Sequence, residues 1–390
     1  MSGARAGDGT WSWPVLHDAQ RAVLLDVLFN GSRSRAELAR RTGLSRTSLT
    51  RLTRDLVEFG FVSEGEISAP NGRGRPSEML DLRPESAHFA GIKLTGDALY
   101  AAVIDLRANV VATQEHPLVS RDVDAVVELI GAVVAGLREQ YQRLAAVGVC
   151  LAGDVQLIDG RLVVEGSWFL GWDSVPLAEL VATATGLPAA VANDVQALTA
   201  AHHWFGAGVG CSSLAVIGLG AGIGAGLIVR DELVAGAHGH PGKVSHTPVT
   251  NSGPRCDHGH VGCASAFVTM PAIMRNAGVV AEVGSGVSGE GFSEVLRRAD
   301  AGDAVALEAF RGAGTALGVV IAQLVNFFDP EKVVVTGEGL SIFDYAAAEV
   351  DAAIAYRLDP AASPAVLDVH AFEFADYAWA AAISAIRAVI

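Results

Sequence analysis

Two histidines and two cysteines, His246, Cys256, His258 and Cys263, crowd into one short stretch of the chain, HTPVTNSGPRCDHGHVGCAS. Imidazole and thiolate donors spaced ten, two and five residues apart can close a tetrahedral site, and Gly253, Gly259 and Gly262 let the loop fold back on an ion. Four protein ligands leave no vacancy for an activated water, so the expected ion is a structural zinc. His260 competes with His258 for one place in the set, and spacing does not choose between them. The plainer alternative is two buried cysteines with solvated histidines. A second candidate is Asn193-Asp194, where a strand ends and a helix begins; the helix would aim Asp194 into a cleft, although Asp is also an ordinary N-cap. A third is GLGAGIGAG at 218–226, which reads first as a tight hairpin because a strand follows it instead of a phosphate-binding helix.

The elements that must position these residues fall into two kinds. Residues 15–84 read as a winged helix-turn-helix after a loose tail at 1–14. Ser34 and Glu37 have capping-box spacing, Gly43 breaks the helix that follows, and Ser45 offers a second N-cap. In the next helix Leu49, Leu52, Leu56 and Phe59 recur at helical spacing, while Arg46, Thr47, Thr50, Arg51 and Arg54 share the opposite surface. Two strand-like runs, 61–67 and 78–82, flank the tip SAPNGRGRPS, whose glycines let Arg73 and Arg75 lie in a minor groove.

From His88 onward strands and helices alternate in two α/β units, 85–195 and 196–374, with a last helix at 375–390 joining the first. Strands are expected at 88–95, 98–106, 109–116 and 145–152, with a hairpin at Asp159-Gly160. Helices are expected at 123–144, 195–205, 264–277, 303–328, 342–356 and 375–388. Two such lobes imply a cleft between them.

Composition narrows the function classes. The 390 residues are 51% hydrophobic and 18% charged, which excludes disorder as the main state. The net charge of −15 divides into +1 over residues 1–86 and −16 over the rest. Between Arg33 and Arg54 seven arginines meet one acidic residue, Glu37, so a small basic reader of nucleic acid sits on an acidic body. Four cysteines are too few for a disulfide framework, the first residues hold no apolar core of signal-peptide length, and the run Gly312–Phe328 is too short and too interrupted to span a bilayer. The expectation is a cytoplasmic protein without a membrane segment.

The winged helix, GRGRP, the AND at 192–194, GLGAGIGAG and GKVSH followed by CDHGHVGC together resemble the ROK family of repressors and sugar kinases, over nearly all the chain from His17. The resemblance implies an α/β body of the two-lobed actin/hexokinase (ribonuclease H-like) type, with sugar and nucleotide meeting in the cleft. It implies a catalytic base at Asp194, and sugar contacts at Asn193, Asp194 and His246. Departures are informative. Where the family's kinases place an Asp, a Gly and a Thr at the first phosphate turn, this chain has Lys93, Thr95 and Asp97; Lys243 and Ser265 stand where two sugar-binding glutamates would be, and His258 stands for a zinc Cys. An added carboxylate disfavours a polyphosphate. The expected protein is a homodimeric, or dimer-of-dimers, repressor of double-stranded operator DNA whose body lacks kinase activity. The competing readings are a sugar kinase with a DNA-binding appendage and a regulator that senses no ligand. Lys243 either pairs with Asp194 or offers an ammonium donor that, with Asn193, Asp194 and His246, suits a phosphorylated or acidic sugar effector. Exchanging Arg73 and Arg75 together for Ala should weaken DNA binding most at A·T-rich flanks; equal affinity and flank preference in a gel-shift titration would remove the wing from the interface.

Overall fold

The computed structural model describes residues 11–68, 77–279 and 290–390. The N-terminal domain contains helices Asp18–Asn30, Arg35–Thr42 and Arg46–Phe59, and a sheet in which Ser77–Leu82 lies between Arg33–Ser34 and Val62–Ser68. Local chemistry sets its boundaries. The Ser34 hydroxyl accepts from the Glu37 amide at 3.3 Å, while the Glu37 carboxylate accepts from the Ser34 amide at 3.0 Å. Gly43 turns left-handed at φ +70°, and Ser45 caps the next helix by accepting from the Ser48 amide at 3.2 Å. Leu49, Leu52 and Leu56 are buried as their spacing predicts, with Phe59 half-buried. The wing tip, with Arg73 and Arg75, lies outside the described residues.

Each lobe of the body repeats one topology. In the first, strands His88–Leu94, Ala98–Asp105 and Val110–Pro117 run antiparallel, and Leu144–Leu151 then Ala189–Asn193 add in parallel on the other side of His88–Leu94. In the second, Ser213–Leu219, Ile223–Val229 and Glu232–Leu233 are the antiparallel set, and Lys332–Thr336 and Val366–Val369 add in parallel. Strand Leu144–Leu151, at the centre of the first sheet, is apolar and buried along its whole length because both faces of the sheet are covered. A small sheet of Asp154–Ile158, Arg161–Ser167 and Trp172–Val175 is appended to the first lobe, turning at Asp159 and Gly160, both with positive φ.

Helix Ala375–Val389 returns to the first lobe at backbone contact: a Cβ on Gly91 would stand 1.9 Å from the Ala378 carbonyl, and one on Gly148 1.8 Å from that of Ala381. Helix Ala304–Phe328, long and apolar enough to cross a membrane, is largely buried in the second lobe.

Three expectations need correction. The tail is not loose up to residue 14: Trp13 stacks on Phe61 at 4.4 Å and lies 5.6 Å from Phe89, and the Arg143 guanidinium covers Trp11. Two large aromatic surfaces there outweigh the polar composition. The helix expected at 264–277 is two, Ser265–Val268 and Met270–Asn276, because Thr269 is extended and caps the second by accepting from the Ala272 amide. The helix from Val123 ends at Gln140, where Tyr141 leaves helical geometry ahead of the strand at Leu144. Ser34→Ala should cost about 1 kcal/mol, seen as a lower urea midpoint with an unchanged slope; an unchanged midpoint would show the cap to be redundant.

Candidate functional site

Strand Ala189–Asn193 delivers Asn193 and Asp194 to the cleft, where helix Asp194–Phe205 begins. Asn193 is the N-cap: its side-chain oxygen accepts from the Val195 amide at 2.9 Å and its amide donates to the Gly153 carbonyl at 2.7 Å. Both of its polar groups are therefore engaged. Asp194, 8% exposed, is ion-paired with Lys93, 4% exposed, on strand His88–Leu94, which lies beyond Leu144–Leu151 in the same sheet. The Lys93 ammonium also lies 4.5 Å from the centre of the Tyr377 ring, and the Tyr377 hydroxyl donates to Glu338 at 3.4 Å. Burial, with Glu338 and Asp194 nearby, pushes the Tyr377 phenol up; burial raises the Glu338 carboxyl against the pull of Lys93; burial and then Asp194 raise the Cys150 thiol. The second carboxylate oxygen of Asp194 is buried without a hydrogen-bond partner among the described residues. Lys93 was legible as a departure in the phosphate turn; its pairing was not.

Four glycines of the glycine-rich turn make room for protein side chains. A Cβ on Gly218 would stand 2.8 Å from the Val195 side chain and one on Gly226 1.9 Å from the Thr199 hydroxyl, so these glycines admit helix Asp194–Phe205 to the hairpin. A Cβ on Gly220 would stand 2.1 Å from the Glu338 carboxylate.

Lys243 does not reach Asp194. Its partner is Asp154 on the first lobe's small sheet, and both are partly exposed. His240 lies between Asp154, 3.7 Å from Nδ1, and Glu165, 3.1 Å from Nε2. Two acidic residues of the hairpin Asp154–Ser167 thus meet two basic groups of the loop after Glu232–Leu233, a clasp between lobes that only the fold assembles.

The side chains that could hold a metal are His246, Cys256, His260 and Cys263, whose donor atoms all lie within 4.8 Å of one another. Nδ1 of His246 is 3.9 Å from the Cys256 sulfur and 3.8 Å from that of Cys263, and Nδ1 of His260 is 3.5 Å from Cys256. With bond lengths of about 2.3 Å to sulfur and 2.1 Å to nitrogen, a tetrahedral ion needs S···N edges of about 3.6 Å, so the donors fit a metal. His260 takes the place expected for His258. The Gly259 amide donates to the Cys256 carbonyl and the Cys256 amide to that of His260, a tight turn at φ +84° that sets His260 opposite Cys256 and leaves His258 at the exposed apex. Burial, then His260 and His258, lower the His246 pKa.

On the N-terminal domain Arg46, Thr47, Thr50, Arg51 and Arg54 are exposed along one helix face. Arg54 lies 3.7 Å from Glu58, whereas Arg46 and Arg51 have no ion-pair partner among the described residues. The basic patch is smaller than its count of arginines: Arg33 and Arg41 face Asp26, and Arg35 bridges Glu64 and Glu78.

Two lobes of one topology facing a cleft, preceded by a winged helix-turn-helix, define an actin- and hexokinase-like body joined to a DNA-reading domain. The chain belongs to the ROK family, whose pattern spans residues 89–384, and the IclR helix-turn-helix domain pattern spans 23–65. It is 26% identical over 320 residues to the DNA-binding transcriptional repressor Mlc of Escherichia coli K12, covering 80% of this chain and 78% of Mlc. A ROK family transcriptional regulator described as a homolog of the E. coli protein superposes with a TM-score of 0.79 at 22% identity, covering 95% and 96% of the two chains. A ROK glucokinase from Streptomyces griseus in complex with glucose and AMPPNP gives 0.63 at 26% identity, covering 77% of this chain and all of that one. If the geometry sets the ligands, His260→Ala and Cys263→Ser should abolish stoichiometric binding of cobalt(II), read from its thiolate charge-transfer bands, while His258→Ala keeps it; loss in His258→Ala with retention in His260→Ala would exchange the two roles.

Proposed function

We propose that the kinase-like body senses a carbohydrate without phosphorylating it and that this state controls operator occupancy. The protein is a DNA-binding transcriptional regulator of the repressor type, by its family, its helix-turn-helix and its repressor relatives. The observation that carries the non-catalytic reading is the buried pair of Lys93 and Asp194. A general base must accept a proton in phosphoryl transfer, and this carboxylate is already committed to an ammonium group. Glu338 against Gly220 adds negative charge beside the glycine turn, which opposes a polyphosphate.

The N-terminal face would read operator DNA through Arg46, Thr47, Thr50, Arg51 and Arg54, with Arg73 and Arg75 in the minor groove. One recognition helix reads few base pairs, so a two-fold homodimer on paired half-sites follows, in the cytoplasm where the DNA is. His246, Cys256, His260 and Cys263 would hold a structural zinc that cross-links the loop after His246. The effector would contact Asp194, whose free oxygen can accept a sugar hydroxyl, together with Asn193, Lys243 and His246. An acidic or phosphorylated sugar would have to take Lys243 from Asp154.

Incubated with MgATP and glucose or N-acetylglucosamine, the protein should release no more ADP than a protein-free control; sugar-dependent ADP release would restore the kinase reading. Calorimetry should show glucose 6-phosphate binding more tightly than glucose, with the preference enlarged in Asp154→Asn; tighter binding of the neutral sugar ends the anionic assignment.

A further inference from the structure

The DNA-binding domain touches the body at two seams of different character. The first is to the first lobe and is extensive. Trp13 lies between Phe61 of the winged domain and Phe89 of the lobe, the Arg143 guanidinium donates to the Phe59 carbonyl at 2.7 Å, and the Leu106 amide donates to the Pro84 carbonyl at 2.9 Å. The second is thin. Phe29, at the end of helix Asp18–Asn30 and 40% exposed, meets Trp204 edge-on at 5.1 Å and Phe205 at 6.0 Å. Trp204 and Phe205 are the last residues of helix Asp194–Phe205, whose first residue is the buried partner of Lys93.

That helix is engaged along its length with both lobes. Val195 and Thr199 fill the spaces that Gly218, Gly224 and Gly226 leave in the second lobe's hairpin. Leu198 and Ala201 share an apolar cluster with Ala381, Ala382, Ala385 and Ile386 of the helix laid on the first lobe. Arg387 of that helix covers the Trp204 ring at 5.0 Å. Toward the second lobe its side chains fill the positions that hairpin glycines leave open, while toward the first lobe it meets a face lined by alanines. With this packing a change in lobe angle would carry the helix with the second lobe, and its far end would shift against Phe29 while Trp13 holds the rest of the domain to the first lobe.

We propose that helix Asp194–Phe205 is the strut that carries the state of the Lys93–Asp194 pair to the recognition helix, with Trp204, Phe205 and Phe29 as its positioning residues. A group that takes Asp194 from Lys93 frees the strut's cleft end. The displaced seam tilts helix Asp18–Asn30, which shares one core with Leu49 and Leu56 of the recognition helix. The inference rests on the DNA-binding reading and deepens it by naming where coupling enters the reader.

The test uses the full chain and a duplex that the native protein enriches from a random pool. Lys93→Met, which leaves Asp194 unpaired, is made alone and combined with Phe29→Ala, a residue outside the DNA-facing surface; Asp194→Asn is the second cleft variant should Lys93→Met not fold. The expected result is a duplex Kd at least 5-fold different on breaking the pair, with faster amide exchange in 18–30 as well as in 194–205. In the Phe29→Ala background the Kd change should fall below 2-fold and the exchange change in 18–30 should vanish, while the loss of thermal stability from the cleft variant persists. An unchanged Kd, an equal change in both backgrounds, or unaltered exchange in 18–30 overturns the strut. If the pool yields no duplex, the DNA-binding reading fails separately, and the exchange arm still decides the coupling.

Discussion

The structure depends on one buried ion pair. Lys93 and Asp194 sit almost wholly out of water where the two lobes meet, and taking two charges into the interior is costly unless each satisfies the other. Removing one partner of such a pair typically costs about 3–5 kcal/mol, because the other charge is left buried without compensation. The same pair commits the carboxylate that would act as base in a kinase of this fold.

Around that pair the glycines perform a mechanical task. The hairpin Ser213–Val229 resembles a phosphate-binding turn in sequence, yet Gly218 and Gly226 are spaces into which Val195 and Thr199 fit, and Gly220 faces the Glu338 carboxylate. Gly91 and Gly148 do the same for the C-terminal helix on the first lobe. Side chains at these positions would force helices away from strands, so glycine is what permits the close approach in both lobes.

Charge is distributed to match. The body carries the net negative charge, which discourages indiscriminate wrapping of DNA, while Arg46 and Arg51, without an ion-pair partner among the described residues, are exposed on one helix face of the winged domain. Arg33, Arg35 and Arg41 are consumed by Asp26, Glu64 and Glu78 in building the domain itself. The loop carrying His246 draws on a different source of order, a donor set able to bind a metal where apolar packing is sparse.

Sequence alone determined the parts governed by local rules: the capping box at Ser34, the left-handed turn at Gly43, the Leu49–Leu52–Leu56 stripe, the Asp159-Gly160 hairpin, the alternation of two lobes and the family to which they belong. Each follows from dihedral preference or side-chain period within a few residues. Only the tertiary structure decided which charges meet. Lys93 and Asp194 are 101 residues apart in the chain, Lys243 and Asp154 are 89 apart, and Lys243 does not pair with Asp194 because pairing is chosen by distance in space. His260 replaced His258 for a related reason: their spacings differ by two residues, but one turn at Gly259 points a single imidazole at the sulfurs. Trp11 and Trp13 found a partner surface that a polar, glycine-rich segment does not announce, since Phe61, Phe89 and Arg143 come together only when the domain and the lobe are both folded.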